Sequence, residues 1–350
     1  MTGPGPIARA RMRATAAWDS QQADPAAVVE HLLAVQAQEH PFARWSLAQR
    51  TAPGAGASEV DAAFDAGAVL RTHVLRPTWH YVSPADLAWL MPLSGPRVDR
   101  SNARRYDELE LDQRTLARTD RLLARIVEER PHTRRELATR LAAEGVSVDG
   151  QRMPHILFHA ELQMVLVSGP MDAKQHTYAP FADRVPAATP LDEDEALARL
   201  ADRFFRTRGP AMLGDFAWWS GLDVPTARRA LELAAPGLDR LQVDDRTYWL
   251  QDVGKVAPRG RADLVQCYDE AIISYRPSRD VLGTGPASFA VPGWDHGFTH
   301  VVLYDGRLLG HWRARPRSPE IEVRLAVEPT SRQRRAVAGA VERYRRFVGS

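Results

Sequence analysis

Cysteine is all but missing from this chain: Cys267 is the single one among 350 residues. That excludes an internal disulfide and a cysteine-built zinc cluster, and it fits a reducing compartment. Lysine is almost as scarce, since of the 46 cationic side chains only Lys174 and Lys255 are lysines and the rest are arginines. Long apolar runs are absent as well. No stretch approaches the ~18 uninterrupted apolar residues of a membrane span. The opening MTGPGPIARARMRATAAWDS has arginines but no apolar leader core, so a cytoplasmic location with no membrane partner is expected. Nor does one sign of charge dominate: 46 basic against 44 acidic residues leave a net +2, and the total argues for no polyanionic partner.

What is present is an ordinary globular composition, 44% hydrophobic and 26% charged. At ~150 residues per domain, the length asks for more than one core. GC-rich codons are enough to account for the arginine bias, yet guanidinium also offers phosphate a planar fork. Its distribution is uneven. Residues 301–350 hold 11 arginines against 5 acids, which predicts a basic face at the C-terminal end.

One pattern recurs three times, with little identity between copies: a helix, a short second helix, a third helix, then two strands joined by a tight turn. In the first copy Asp24-Pro25 supplies an N-cap and N1 proline to a helix with Val29, Leu32, Leu33 and Gln36 on its apolar stripe, ended by Pro41. A short helix over 41–49, a third over 58–67 and a strand-like run over 69–82 complete it. The second copy reads as a helix over 114–129, a capping box at Thr133 and Glu136 opening a helix that closes at Gly145, a helix through His155 and His159, and strands around 164–167 and 175–178. The third has a helix over 192–206, the segment AMLGDFAWWSGL, a helix over 224–235, and strands over 240–243 and 247–250.

Three helices followed by a β-hairpin is the plan of a winged helix-turn-helix, whose third helix or wing enters a DNA groove. An α+β enzyme whose helices merely cover sheets is the competing pattern. The expected fold class is α+β, with winged units over 1–95, 96–188 and 189–255 and a C-terminal α/β segment over 256–350. That segment has a hairpin turning at Asp305-Gly306 and a strand alternating Ile321, Val323, Leu325 and Val327. Its last helix buries Val337, Val341, Tyr344 and Val348, with Arg334, Arg335, Arg345 and Arg346 outward.

Several chemical signals are weak. His155 and His159 lie four apart on a helix but lack the glutamate of HExxH. His73 with His80, and His296 with His300 and His311, have no carboxylate or Cys at ligand spacing. GTGPAS at Gly283 is followed by neither Lys nor a helix start, so neither metal nor cofactor is expected. The anomaly is Gln36 in an apolar stripe, because a buried amide requires partners. Positions i and i+2 of a helix face different ways, so Gln36 and Gln38 address one site only if the helix loosens before Pro41. A buried amide that satisfies a core carbonyl is the competing account.

The stretches LLAVQAQEHPFARWSLAQR, RPTWHYVSPADLAWL, YDEAIISYRPSRD and VVLYDGRLLGHWR, spread over nearly the whole chain, resemble the bacterial winged-helix DNA glycosylases of the AlkZ type. The resemblance implies three winged helices forming a concave basic surface for duplex DNA, and a catalytic Gln-x-Gln motif at Gln36 and Gln38. It also implies a β-hairpin in the DNA, expected here to be the one at Asp305, Gly306 and Arg307. Trp79 and His80 close a second recurrent motif, with Trp79 open between a core and a site role. Arg313, Arg315 and Arg317 are expected on the DNA. The sister YcaQ branch has Asp where this chain has Gln38.

Glycosidic hydrolysis ordinarily uses one carboxylic acid for the leaving group and a carboxylate for water or sugar. Two amides offer neither, although a carbonyl can orient water and face a developing cation. Such a site suffices for guanine alkylated at N7, which is already cationic and leaves as a neutral base. The implied function is a monofunctional glycosylase for cationic N7-alkylated purines in double-stranded DNA, extending to bulky adducts and interstrand crosslinks, in repair or in self-resistance to a DNA-alkylating natural product. No lysine near the motif suggests a Schiff-base lyase step, and a monomer is expected. The rivals are a winged-helix transcription regulator without catalysis and a small-molecule enzyme on an unrelated α+β fold. Residues 57–67 and 225–235 hold little Asn or Gln for reading bases, which counts against the regulator.

Overall fold

In a computed structural model, residues 3–19, 22–52, 55–189, 191–251, 254, 256–283, 300–315 and 318–349 are described. Arg317, His296 and the part of GTGPAS beyond Gly283 lie outside them. The fold is mixed α+β, built of helices, small antiparallel sheets and hairpins. The chain forms two compact units, one of Met1–Val60 with Leu197–Ser350 and one of Asp61–Ala196. Among the described residues no helix is long and apolar enough to cross a membrane.

The first unit opens with α1 (Pro4–Ala14), α2 (Pro25–Leu32), β1 (Ala34–Gln36) and α3 (His40–Ala48), and α4 (Ala57–Asp65) leads out of it. Asp24 caps α2 through the Ala27 N–H at 2.8 Å with Pro25 at N1, as the sequence predicts. The end of α2 differs from the expectation. The helix stops at Leu32 instead of running to Pro41, so Gln36 lies on a strand and not on a helical stripe. Two forces override the helical pattern. Leu33 takes φ 66° and ψ −51°, a conformation that breaks the helix. The next three residues are all buried, which suits a short strand within a core.

The second unit holds β2 (Leu70–Val74) and β3 (Arg76–Val82), a hairpin turning at Leu75, whose φ is 63°. Then come α5 (Pro84–Ser101), α6 (Ala103–Glu108), α7 (Gln113–Val127), β4 (His132–Thr133), α8 (Arg134–Ala143), α9 (Arg152–Leu162), β5 (Leu166–Ser168), β6 (Thr177–Pro180) and α10 (Phe181–Arg184). The anticipated stripe of α7 is buried at Leu116, Leu123, Ile126 and Val127, and the capping box at Thr133 and Glu136 is formed in full. The strands assemble in the order β4-β6-β5. Gly95 permits a close crossing of helices, since a Cβ there would sit 3.1 Å from the Leu162 carbonyl oxygen.

The chain returns through α11 (Glu193–Arg208), α12 (Leu213–Ser220) and α13 (Val224–Ala234) to the hairpin of β7 (Asp239–Val243) and β8 (Arg246–Leu250). A four-stranded antiparallel sheet follows. It is built of β9 (Ala262–Val265), β10 (His300–Tyr304), β11 (Arg307–Ala314) and β12 (Ile321–Leu325), in the order β12-β11-β10-β9. Strand β9 is buried at all four positions, so no burial alternation marks it. Between β9 and β10 lies the short α14 (Glu270–Ile273), and α15 (Ser331–Val348) closes the chain. Helix α15 buries Val337, Ala340, Tyr344 and Phe347 over the sheet and half-buries Val341 and Val348. Arg334, Arg335, Arg345 and Arg346 stay exposed as expected. Phe42 and Trp45 of α3 complete this core, with the Trp45 indole donating to the Leu264 carbonyl at 2.8 Å. The motif-bearing segment is thereby fixed to the sheet.

Candidate active site

Gln36 ends β1 and Gln38 lies two residues on, in the bend before α3. With Gln36 on a strand and Gln38 in a bend, the helical geometry that would turn the two amides apart does not apply. The two amides have different surroundings. Gln36 is 3% exposed and its Oε1 is a buried acceptor without a hydrogen-bond partner among the described residues, whereas Gln38 is exposed.

Behind Gln36 lies a buried ionic network. Glu270 Oε1 accepts the Gln36 backbone N–H at 2.9 Å. Its Oε2 accepts from Arg208 Nε at 3.0 Å and Nη2 at 2.8 Å, from Trp219 Nε1 at 2.9 Å and from Ser274 Oγ at 2.7 Å. Arg208 also donates to the carbonyls of Leu32 at 2.8 Å and Ala34 at 2.7 Å. Burial alone would raise the Glu270 carboxyl, but the Arg208 charge and these donors hold it below the usual carboxylate range. The positive φ of Leu33 costs about 1–3 kcal/mol, and the guanidinium grips the carbonyls on either side of it.

The neighbouring Asp269 pairs with Arg50 in two-pronged fashion, at 2.6 and 2.9 Å. Arg50 lies just beyond α3 and also donates to the carbonyls of Thr15 at 2.7 Å and Ser46 at 2.8 Å. Sequence reasoning missed Arg50, Arg208, Asp269 and Glu270. Their one signal was an acidic pair beside the apolar run AIIS in YDEAIISYRPSRD.

Glu39 follows Gln38 directly, is half-buried, and has its carboxyl raised by that burial. Burial pushes the Cys267 thiol up to about 12, with the Glu39 charge adding to the effect. Burial lowers His300 to about 4, so its neutral ring accepts the Cys267 N–H at 3.2 Å while packed between Phe42 and Trp312.

A family model described as "DNA glycosylase AlkZ-like" matches residues 29–347. The chain belongs to the AlkZ-like DNA glycosylase family. Its fold is that of Streptomyces sahachiroi DNA glycosylase AlkZ, with a TM-score of 0.81 and 21% identity over 100% of this chain and 98% of that one. A search of curated proteins returned no match. The family's substrate is DNA, so the other predicted contact residues of this AlkZ-like chain are of interest for where they lie.

Asp305 and Gly306 form the turn between β10 and β11 with φ of 48° and 78°, both left-handed as a tight hairpin requires. The tip is docked. Asp305 Oδ1 accepts the N–H groups of Arg259 and Gly260 at 2.8 and 2.9 Å, and a Cβ on Gly306 would sit 3.0 Å from the Ala8 carbonyl oxygen of α1. Arg307 is exposed beside it. Arg313 on β11 is exposed and pairs with Glu322 at 2.5 Å, and Arg315 is exposed in the β11–β12 connection.

Trp79 and His80 belong to the second unit, on β3. His80 is buried with Nδ1 2.9 Å from the Thr78 carbonyl. Trp79 is half-buried, its ring 4.5 Å from that of His73, at a cavity of about 200 Å³ that Phe158, Glu161 and Tyr178 also line. His155 spends Nδ1 on the Gln151 carbonyl at 2.8 Å, while His159 sits between Asp99 at 3.0 Å and Asp120 at 3.3 Å. Among the described residues no three His, Cys, Asp or Glu side chains converge as metal ligands.

Proposed function

We propose that this AlkZ-like chain is a monofunctional DNA glycosylase that hydrolyses the N-glycosidic bond of cationic N7-alkylated purines in duplex DNA. Bulky adducts and interstrand crosslinks are included, in repair or in self-resistance to a DNA-alkylating natural product. The observation that carries the reading is the pair of amides itself: a buried Gln36 with an unpartnered acceptor oxygen, two residues from an exposed Gln38. A buried acceptor without a donor costs about 1–3 kcal/mol, so a functional reason for it is sought first. In this reading the oxygen takes a hydrogen of a water admitted with the DNA and turns that water toward the anomeric carbon as the sugar becomes cationic. The leaving group needs no proton because N7 alkylation has already made the base a good one.

Neither lysine of the chain, Lys174 or Lys255, lies near the motif in the sequence, and the reading is of hydrolysis without a Schiff base. We assign the DNA surface to three winged units over 1–95, 96–188 and 189–255, with a C-terminal segment over 256–350. The hairpin entering the DNA needs a free tip. The docking of Asp305-Gly306 on α1 counts against the β10–β11 turn in that role, and the exposed Arg313 and Arg315 are assigned to the DNA surface. The regulator reading has no observation of its own.

The test is single-turnover release of 7-methylguanine from a duplex. Gln36→Ala and Gln38→Ala should each slow it by about 10²-fold or more, as loss of a preorganised dipole does. Wild-type rates in the double variant would leave the amides as core and surface residues only.

A further inference from the structure

The Arg208–Glu270 pair is fully buried on both sides. Neither residue reaches solvent, so neither touches DNA, and Glu270 is saturated on Oε2 by Arg208, Trp219 and Ser274. Buried ion pairs are poor sources of stability, since apolar side chains of similar volume often do as well or better. The donors of this pair therefore call for another account, and their targets supply one. Of the bonds that leave the pair for main chain, Arg208 sends two to Leu32 and Ala34, and Glu270 receives one from Gln36. All three fall within five residues, astride the positive-φ Leu33 and ending at the first glutamine of the motif. Cation–π contact between Arg208 and the Trp219 ring, 4.3 Å away, fixes the guanidinium from a further side.

The geometry points to Arg208 and Glu270 as positioning residues that hold the main chain of β1 in its strained path, so that the Gln36 amide is aimed before DNA arrives. The inference rests on the glycosylase reading above and deepens it. Pre-aiming matters because a misplacement of ~1 Å at a catalytic group can cost about 10²-fold in rate. The adjacent Asp269 holds Arg50, just beyond α3, whose other bonds go to Thr15 and Ser46 and not to the motif.

The test is a double-mutant cycle with 7-methylguanine duplex under single-turnover conditions, with DNA affinity measured alongside. Glu270→Ala should lower the rate constant about 10²-fold, with DNA affinity unchanged. In a Gln36→Ala background the same change should cost nothing more, because it acts through Gln36. Glu270→Gln, which keeps a carbonyl for the Gln36 N–H, should lose less. A structural role would reduce the amplitude of active protein and its melting temperature but spare the rate constant. That result, or losses that multiply in the cycle, overturns the inference. If Glu270→Ala does not fold, Glu270→Gln and Arg208→Lys are carried through the same cycle with the same criteria. If the wild type releases no base, the glycosylase reading itself has failed. Hydrogen exchange at the Gln36 amide in Glu270→Gln then separates the two: faster exchange there keeps the clamp, and unchanged exchange removes it.

Discussion

In the proposed site, a glutamine at position 38 fixes what can be done with a proton, because an amide neither donates nor removes one at neutral pH. Gln38→Asp exchanges that for a carboxylate able to act as a base on water. We expect the variant to retain base release and to gain a pH dependence, its rate falling as pH drops through the ordinary aspartate range near ~4, while the wild type stays flat there. Loss of activity at every pH would mean that the Gln38 N–H₂ group, not its carbonyl, is what matters. Both glutamines are legible in the sequence as a pair; the strand that carries Gln36 is not. Arg208, which grips Leu32 and Ala34, lies 176 and 174 residues away from them along the chain. No local pattern contains that interaction, so the apolar spacing of Val29, Leu32, Leu33 and Gln36 reads as uninterrupted helix.

Elements held by local chemistry follow the sequence closely. The Asp24 cap, the Thr133 capping box, the buried stripe of α7 and the outward arginines of α15 all appear where propensity and periodicity put them. Contacts between distant elements do not show. Nothing around Asp305-Gly306 signals that α1 packs on the turn, and nothing in HILFH shows that α5 and α7 send Asp99 and Asp120 to His159. That last cluster makes a prediction at this scale. Burial disfavours the charged imidazole, but bonds to Asp120 and Asp99 outweigh it and bring His159 up to about 9. A folded-state pKa above the unfolded value means stability that is fully present below the ordinary histidine range near ~6.5 and is lost as pH rises through about 9. Urea midpoints should therefore fall between pH 6.5 and 9.5 in the wild type, and His159→Gln should flatten that fall. Equal pH slopes in both proteins would show the cluster to be neutral in the fold.

For the molecule as a whole, arginine contacts to phosphate carry no sequence information, and the outward face of α15 offers Arg334, Arg335, Arg345 and Arg346. Binding to undamaged duplexes of unrelated sequence should be similar. It should weaken steeply with salt, log Kd changing by roughly 0.9 per log unit of salt for each phosphate neutralised. A slope near zero, or strong preference for one sequence, would contradict this account of the surface. The central claim is chemical selectivity, and it is tested most directly by one experiment. In it, wild-type protein acts under single-turnover conditions on matched duplexes carrying 7-methylguanine, uracil or hypoxanthine. With two amides at the site, the cationic 7-methylguanine should be released and the two neutral bases should remain. Efficient release of uracil or hypoxanthine would require a proton donor, would turn attention to the raised carboxyl of Glu39, and would contradict an amide-only mechanism.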